Sequence, residues 1–285
     1  MRTLVATTLA VLACWAAFAQ WLAPPVPPLP VGAAQNRIVA ERLRLDATDS
    51  SLLVLGSSMT ARLPMARVAA GAQAVGVSGG TAAEAIELVQ AMGRRPRVAV
   101  VETNRLAWPS DSSDVRELSA ATHSSVPPRF WRFEYRPSTQ VLGLIVRVTD
   151  FARQLLVSEA NRRAAERRAA VAYGREEVDS AGGQRALDLV RARLAAWRAS
   201  GTTVCLVKLP VHPLTAMSAL EARLIARTFP DSAFPRVRLP VRVLPTTDGR
   251  HLEPDAAWGV ARALVAPGSP CGVRGQPPTR RAPRL

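Results

Sequence analysis

The sequence predicts an α/β protein: a three-layer α/β/α, doubly wound, mostly parallel five-stranded sheet carrying a helical insert. Three observations predict it. Five short β-like runs are spread along the chain, and the first four are nearly continuous in apolar residues. Helix-like segments with recognisable starts and stops lie between them. Polar residues gather just after the runs, where the strands would end. An unbroken apolar run is what a strand needs when helices cover both of its faces, as in a parallel sheet. Strand–helix alternation then selects an open, doubly wound sheet. With 285 residues, 48% of them hydrophobic, the chain can bury one sizeable core, and a second full domain is not expected.

The elements follow in order. Arg2 precedes a stretch from Thr3 to Ala23 with no charge and only Gln20 strongly polar, about the length a helix needs to cross a bilayer core. Residues 1–23 are therefore an N-terminal transmembrane anchor or a signal peptide. The single positive residue ahead of the span favours export of everything after it. Ala17-Phe18-Ala19 resembles a signal-peptidase site, so release by cleavage stays open. Val11-Leu12-Ala13-Cys14 is a poor lipoprotein-type sequence.

Residues 24–32 form a Pro-rich linker, expected to be stiff and to hold the domain off the membrane. The folded domain spans 33–265 and opens with an amphipathic helix to about residue 46. The strands are expected at Ser51–Ser57, Gln73–Ser78, Arg97–Asn104, Thr202–Leu209 and Val237–Leu244. Thr81-Ala82-Ala83-Glu84 is a capping box opening a helix at Ala82–Met92, stopped by Gly93. Asp188–Ala199 is a helix closed by Gly201, and Pro254–Val265 is another.

The insert covers about residues 105–185 and is helical over Thr149–Arg168. Its aromatics Trp108, Phe130, Trp131, Phe133 and Tyr135 would form its own small core or line a sugar-binding groove. Residues 266–285 are rich in Gly, Pro and Arg and are expected to be disordered.

The net charge is +15, and Lys208 is the only lysine. Such an excess can mean anionic partners. The arginines are not interleaved with aromatics, however, and no helix-turn-helix, zinc-finger or ribonucleoprotein motif is present, so no nucleic-acid partner is expected. No Cys/His cluster has metal-ligand spacing, so no metal and no cofactor are expected. A Cys205–Cys271 disulfide suits an oxidising compartment, but the spacing does not select it.

The strand ends carry the chemistry, as the carboxyl ends of a doubly wound sheet usually do. The first run ends in Gly56-Ser57-Ser58-Met59 and the second in Val77-Ser78-Gly79-Gly80-Thr81. The third ends in Glu102-Thr103-Asn104-Arg105, and the fifth is followed by Asp248-Gly249-Arg250-His251. A serine hydroxyl attacks an acyl carbon only when a base takes its proton. His251 is the best base because Asp248, one short turn away, can orient its ring. His123 has no acidic neighbour, while His212 follows the fourth run and could touch substrate.

These blocks, in this order, resemble the SGNH (GDSL-like) superfamily of hydrolases and acyltransferases, whose domains are flavodoxin-like. The resemblance covers roughly residues 50–105 and 200–265. It implies Ser58 as nucleophile, with His251 and Asp248 completing a catalytic triad. It implies an oxyanion hole from the Ser58 amide, the Gly79 amide and the Asn104 side chain. Ser57 stands where the first block usually has aspartate, and Glu102 and Arg105 stand where glycine and aspartate are common. Ser57 is the rival nucleophile, and Ser57 and His212 are candidate substrate contacts.

Exported members of that superfamily commonly add or remove O-acetyl groups on polysaccharides. The resemblance thus implies a periplasmic O-acetyltransferase or acetylesterase acting on a polysaccharide or another acyl ester. A membrane-embedded acyltransferase is a candidate partner. The alternative is a catalytically inactive SGNH-fold scaffold of a polysaccharide-synthesis complex. A nucleotide-binding reading of Gly76-Val77-Ser78-Gly79-Gly80 fails, because the motif follows the second strand and lacks both Gly-x-Gly-x-x-Gly and a Walker lysine.

Overall fold

The structure is a computed structural model that describes residues 2–27, 29, 32–46, 52–110, 112–121, 131–173, 178–239 and 244–271. His123, Phe130 and positions 272–285 lie outside those residues. The strands are β1 (Leu52–Ser57), β2 (Ala72–Val77), β3 (Val98–Glu102), β4 (Thr203–Val207) and β5 (Arg236–Val237). They form one sheet in the order β2-β1-β3-β4-β5, and every pairing is parallel. The described part of β5 is two residues long, shorter than the expected Val237–Leu244. Positions 240–243 of that run are not among the described residues.

The continuous apolar runs are explained by two separate cores. Leu53, Leu55, Val75, Ala99, Val101, Val204 and Leu206 point to one side of the sheet. There they meet α2 (Gly32–Asp46), α5 (Ala82–Ala91), α9 (Ser180–Ala199) and α10 (Ala219–Thr228). Their sequence neighbours Leu52, Val54, Val98, Val100, Cys205 and Val207 point to the other side, against α4 (Met65–Val68) and α11 (Pro254–Val265). Side chains alternate across a strand, so only a residue set apolar at both parities can bury both faces.

The capping box forms: Thr81 accepts from the Ala83 amide, and Glu84 accepts from the Thr81 amide. Helix α9 begins eight residues earlier than Asp188, at Ser180, capped by Asp179. The Gly182-Gly183 pair hides that first turn in the sequence, because glycine is a poor helix former. Gly183 is needed for packing, since a Cβ there would stand 2.6 Å from Val178 Cγ1.

The insert supplies α6 (Ser112–Ala121), α7 (Pro137–Leu156) and α8 (Glu159–Tyr173). The predicted Thr149–Arg168 helix is broken at Val157-Ser158 into two. The described aromatics of the insert pack on other parts of the chain or stay exposed. Tyr135 packs on Ala19 and Ala23, Phe133 packs beside Val26, Leu29 and Ile38, Trp108 lies on the main core, and Trp131 is exposed.

The N-terminal segment forms α1 (Arg2–Ala17) continued by a π-helical turn (Phe18–Leu22). Leu4–Leu22 is long and apolar enough to serve as a membrane anchor or a signal sequence. The Pro-rich linker differs from the expected stand-off. It is strapped to the domain: the Val26 amide donates to Glu134 Oε1 at 3.1 Å, and the Leu29 amide donates to Gln35 Oε1 at 2.9 Å. Val26 and Leu29 are buried. The tail also differs, because Cys271 is buried and joined to Cys205 of β4 by a disulfide, with the two Cα atoms 6.1 Å apart.

Candidate active site

The chain runs from β1 outward to β2 and then returns to β3 on the other side of β1. In such a sheet the ligand crevice lies at the carboxyl ends of the two strands flanking the reversal, here β1 and β3. Ser58 stands at that point. It opens the short helix α3 (Ser58–Ala61) directly after β1, with Ser57 as the N-cap whose hydroxyl accepts from the Met59 amide. The β1–α3 turn lies flush on β2 because position 76 has no side chain. A Cβ on Gly76 would stand 2.3 Å from Ala61 N and 2.4 Å from Ser57 O.

His251 Nε2 lies 2.8 Å from Ser58 Oγ, and His251 Nδ1 lies 2.7 Å from Asp248 Oδ2. Asp248 grips the loop twice more, since its Oδ1 accepts the Arg250 and His251 amides at 3.1 and 2.9 Å. Burial works against the Asp248 charge. The hydrogen bonds from the His251 ring and amide, the His251 charge and the Arg250 amide outweigh it and hold the carboxyl well below the usual range. An ionised carboxylate only accepts, so His251 Nδ1 carries a proton, and in the neutral imidazole Nε2 is left to accept from the Ser58 hydroxyl. Ser58, His251 and Asp248 are thus in one hydrogen-bonded relay.

The loop bearing Asp248 and His251 is pinned from several sides. Thr246 bridges Leu252, and the Thr247 amide donates to His251 O at 2.8 Å. Gly249 has φ of 86°, and a Cβ there would stand 2.6 Å from the Ala170 side chain. Helix α8 therefore abuts this loop, and its buried Glu166 accepts from the Thr246 amide and hydroxyl. The insert is a buttress of the site.

The three expected oxyanion donors follow adjacent strands: Gly79 after β2, Ser58 after β1 and Asn104 after β3. Ser58 heads a helix, where backbone amides have no intrahelical acceptor. Gly79 is exposed, has φ of 84° and has open space where a Cβ would be. Its loop is set by Asn36 of α2, which accepts from the Ser78 amide at 2.7 Å and donates to Ser78 O at 3.1 Å. Asn104 is buried and clips β3 to the end of β4: it donates to Leu209 O at 3.1 Å and accepts from Leu209 N at 2.8 Å. The second Nδ2 hydrogen of Asn104 takes no part in that clip. Arg105, the next residue, is held at φ of 59°, a left-handed geometry rare outside glycine.

The two candidate contacts differ in placement. Ser57 is buried, and its hydroxyl donates to Glu102 at 2.9 Å, so it can neither touch substrate nor serve as nucleophile without leaving that bond. His212 touches the triad loop through its backbone, donating its amide to Gly249 O at 2.9 Å. Its ring Nδ1 accepts from the Leu214 amide. Among the described residues, no group of three or more His, Cys, Asp or Glu could hold a metal ion.

Asn36, Glu102 and Glu166 are site-supporting residues that sequence reasoning missed. Glu102 had a signal, as a lone carboxylate closing an apolar strand. Asn36 and Glu166 had none, because each meets the site only through tertiary packing. The chain matches no protein-family model, no curated protein and no solved structure with which it was compared.

Proposed function

We propose that this chain is a membrane-anchored, extracytoplasmic serine acyl-ester enzyme of the SGNH kind, transferring or hydrolysing O-acetyl groups on a cell-envelope or secreted polysaccharide. The observation that carries the chemistry is the Asp248–His251–Ser58 relay, with links of 2.7 and 2.8 Å. The Ser58 proton moves to His251 Nε2 as Oγ attacks the acyl carbon. The carbonyl oxygen becomes an oxyanion beside the Ser58 and Gly79 amides and the remaining Nδ2 hydrogen of Asn104. Collapse breaks the bond to the donor oxygen, which takes the proton from His251 and leaves the acyl group on Ser58 as an ester. A sugar hydroxyl or water then gives its proton to His251, attacks that ester and restores the Ser58 hydroxyl.

Export is supported by the apolar Leu4–Leu22 helix and by the Cys205–Cys271 disulfide, since structural disulfides belong mostly to oxidising compartments. Retention of the helix is supported by the packing of Trp15, Ala19 and Ala23 around Tyr135. A tethered site near the bilayer suits an acyl group delivered by a membrane-embedded acyltransferase, which favours transfer over hydrolysis.

A second reading, a non-catalytic scaffold, is favoured by one observation: the Asn104 amide is already engaged with Leu209 at both ends. The full chain in detergent, given a chromogenic acetyl ester and sugar oligomers, separates the two. Turnover abolished in Ser58→Ala and His251→Ala, with an acyl adduct trapped on Ser58, supports the enzyme. Acetylated oligomers identify transfer, and acetate alone identifies hydrolysis. Equal turnover in the wild type and Ser58→Ala, with no serine labelled by a fluorophosphonate, supports the scaffold.

A further inference from the structure

Helix α7 presents two unlike faces. At 100° per residue, Val141, Leu144, Ile145, Val148 and Phe151 fall on one stripe about 120° wide. Each is more than half exposed. The opposite face, with Leu142, Gly143 and Val146, packs on Val26, Leu29 and Ile38 of the strap and α2. Among the described residues nothing covers the exposed stripe, although an amphipathic helix normally turns its apolar side inward.

The position of α7 identifies what covers it. The Leu4–Leu22 helix has 19 residues, about 28 Å at 1.5 Å per residue, so Leu22 emerges at the far interface of the bilayer it crosses. Tyr135, two residues before α7, packs on Ala19 and Ala23 at that emergence. The strap then binds along α7: Gln140 Nε2 donates to Pro24 O at 3.3 Å, and Arg147 Nη2 donates to Pro25 O at 2.6 Å. The chain leaving Leu22 thus meets α7 at Pro24 and Pro25, with no long spacer between. Trp21 and Trp131 are exposed nearby, and tryptophan favours the interface. Arg136 and Arg147 border one edge of the stripe and, with the chain's net charge of +15, suit anionic headgroups.

We propose that the exposed face of α7 beds into the headgroup–acyl boundary of the membrane that the Leu4–Leu22 helix spans, so that the domain lies on the bilayer. The proposal rests on retention of that helix as an anchor and is independent of the Ser58 chemistry. Its consequence reaches the site. Helix α7 runs directly into α8, which abuts the Asp248–His251 loop through Glu166 and Ala170. Docking would hold Ser58 at a set height above the lipid, where a membrane-borne acyl donor arrives.

The test uses the full chain in vesicles of phosphatidylcholine with a minor fraction of phosphatidylglycerol. Nitroxide labels report collisions with oxygen, which concentrates in lipid, and with a water-soluble nickel chelate. Native Cys14 reports the span. In a Cys14→Ser background, Leu144→Cys and Val148→Cys report α7, and Leu189→Cys on the exposed side of α9 reports water. The expected result is an oxygen-to-nickel collision ratio several-fold higher at 144 and 148 than at 189. A lipid-like Cys14 with water-like 144 and 148 overturns the docking and leaves the anchor standing. Labels at 144 and 148 shielded from both reagents overturn it in favour of a protein contact. A Cys14 label outside lipid, or a chain cleaved before Ala23, removes the anchor and the docking together.

Discussion

Glu102 accepts both the backbone N–H and the hydroxyl of Ser57, each at 2.9 Å, so the end of β3 holds the turn that presents Ser58. The Thr60 hydroxyl donates to the same carboxylate at 2.6 Å, and the Thr60 amide also faces it. Burial raises the carboxyl above its ordinary range, and these donors pull it back only in part. Gly56 is part of the same device, since a Cβ there would stand 2.1 Å from Glu102 Oε2. Ser57 and Glu102 are therefore two halves of one buried hydrogen-bonded unit.

Glu102→Ala should lower stability by about 3 kcal/mol, because it leaves several buried donors unpaired under the turn. Urea unfolding of the full chain in detergent, followed by tryptophan fluorescence, measures this. An unchanged midpoint would show that water or rearrangement satisfies those donors.

Asp248→Asn should keep the fold and lower ester turnover by about 10⁴-fold near neutral pH. An amide that donates to His251 Nδ1 selects the wrong tautomer and leaves Nε2 protonated, unable to take the Ser58 proton. Steady-state rates compared with Ser58→Ala check it, and a loss under tenfold would place the base elsewhere.

Glu221, at the start of α10, supplies the pH dependence. Burial pushes its carboxyl up to about 7, against the Ala107 and Arg105 amides and the charges of Arg105 and Lys208. The native state then holds a proton that the unfolded chain releases between pH about 4.5 and about 7. Stability from this group is present below that window and is lost as pH rises through it. Glu221→Gln should therefore stabilise the protein by at most about 3 kcal/mol at alkaline pH, with no gain in acid. Thermal melts across that range decide it, and a gain that grows towards acid would reverse the assignment.

The Cys205–Cys271 disulfide closes a loop with a sequence separation of 66. On the chain-entropy argument its loss costs about 4 kcal/mol, or roughly 8–16 °C in melting temperature. A Cys205→Ser, Cys271→Ser double variant, melted beside the wild type with and without reductant, tests this. The wild type should become reductant-sensitive and the variant should not.

The sequence by itself determined the sheet, because apolar residues at both parities of β1 to β4 can be buried only between two helical layers. It also determined which polar residues stand at and after the strand ends, since Ser58, Gly79, Asn104, Asp248 and His251 interrupt or follow apolar runs where strands must stop. The capping box at Thr81 and the Asp248/His251 spacing were legible because both are local, set within one turn of chain. Only the tertiary structure decided what depends on distant segments meeting. Ser57 turns inward because Glu102, 45 positions away, offers its donors a buried acceptor. Asn104 is half spent because Leu209 lies alongside it, and the Pro-rich segment is a strap because Glu134, Gln140 and Arg147 bind its backbone. A side chain that can donate or accept has many equivalent partners along a chain, and packing alone selects one.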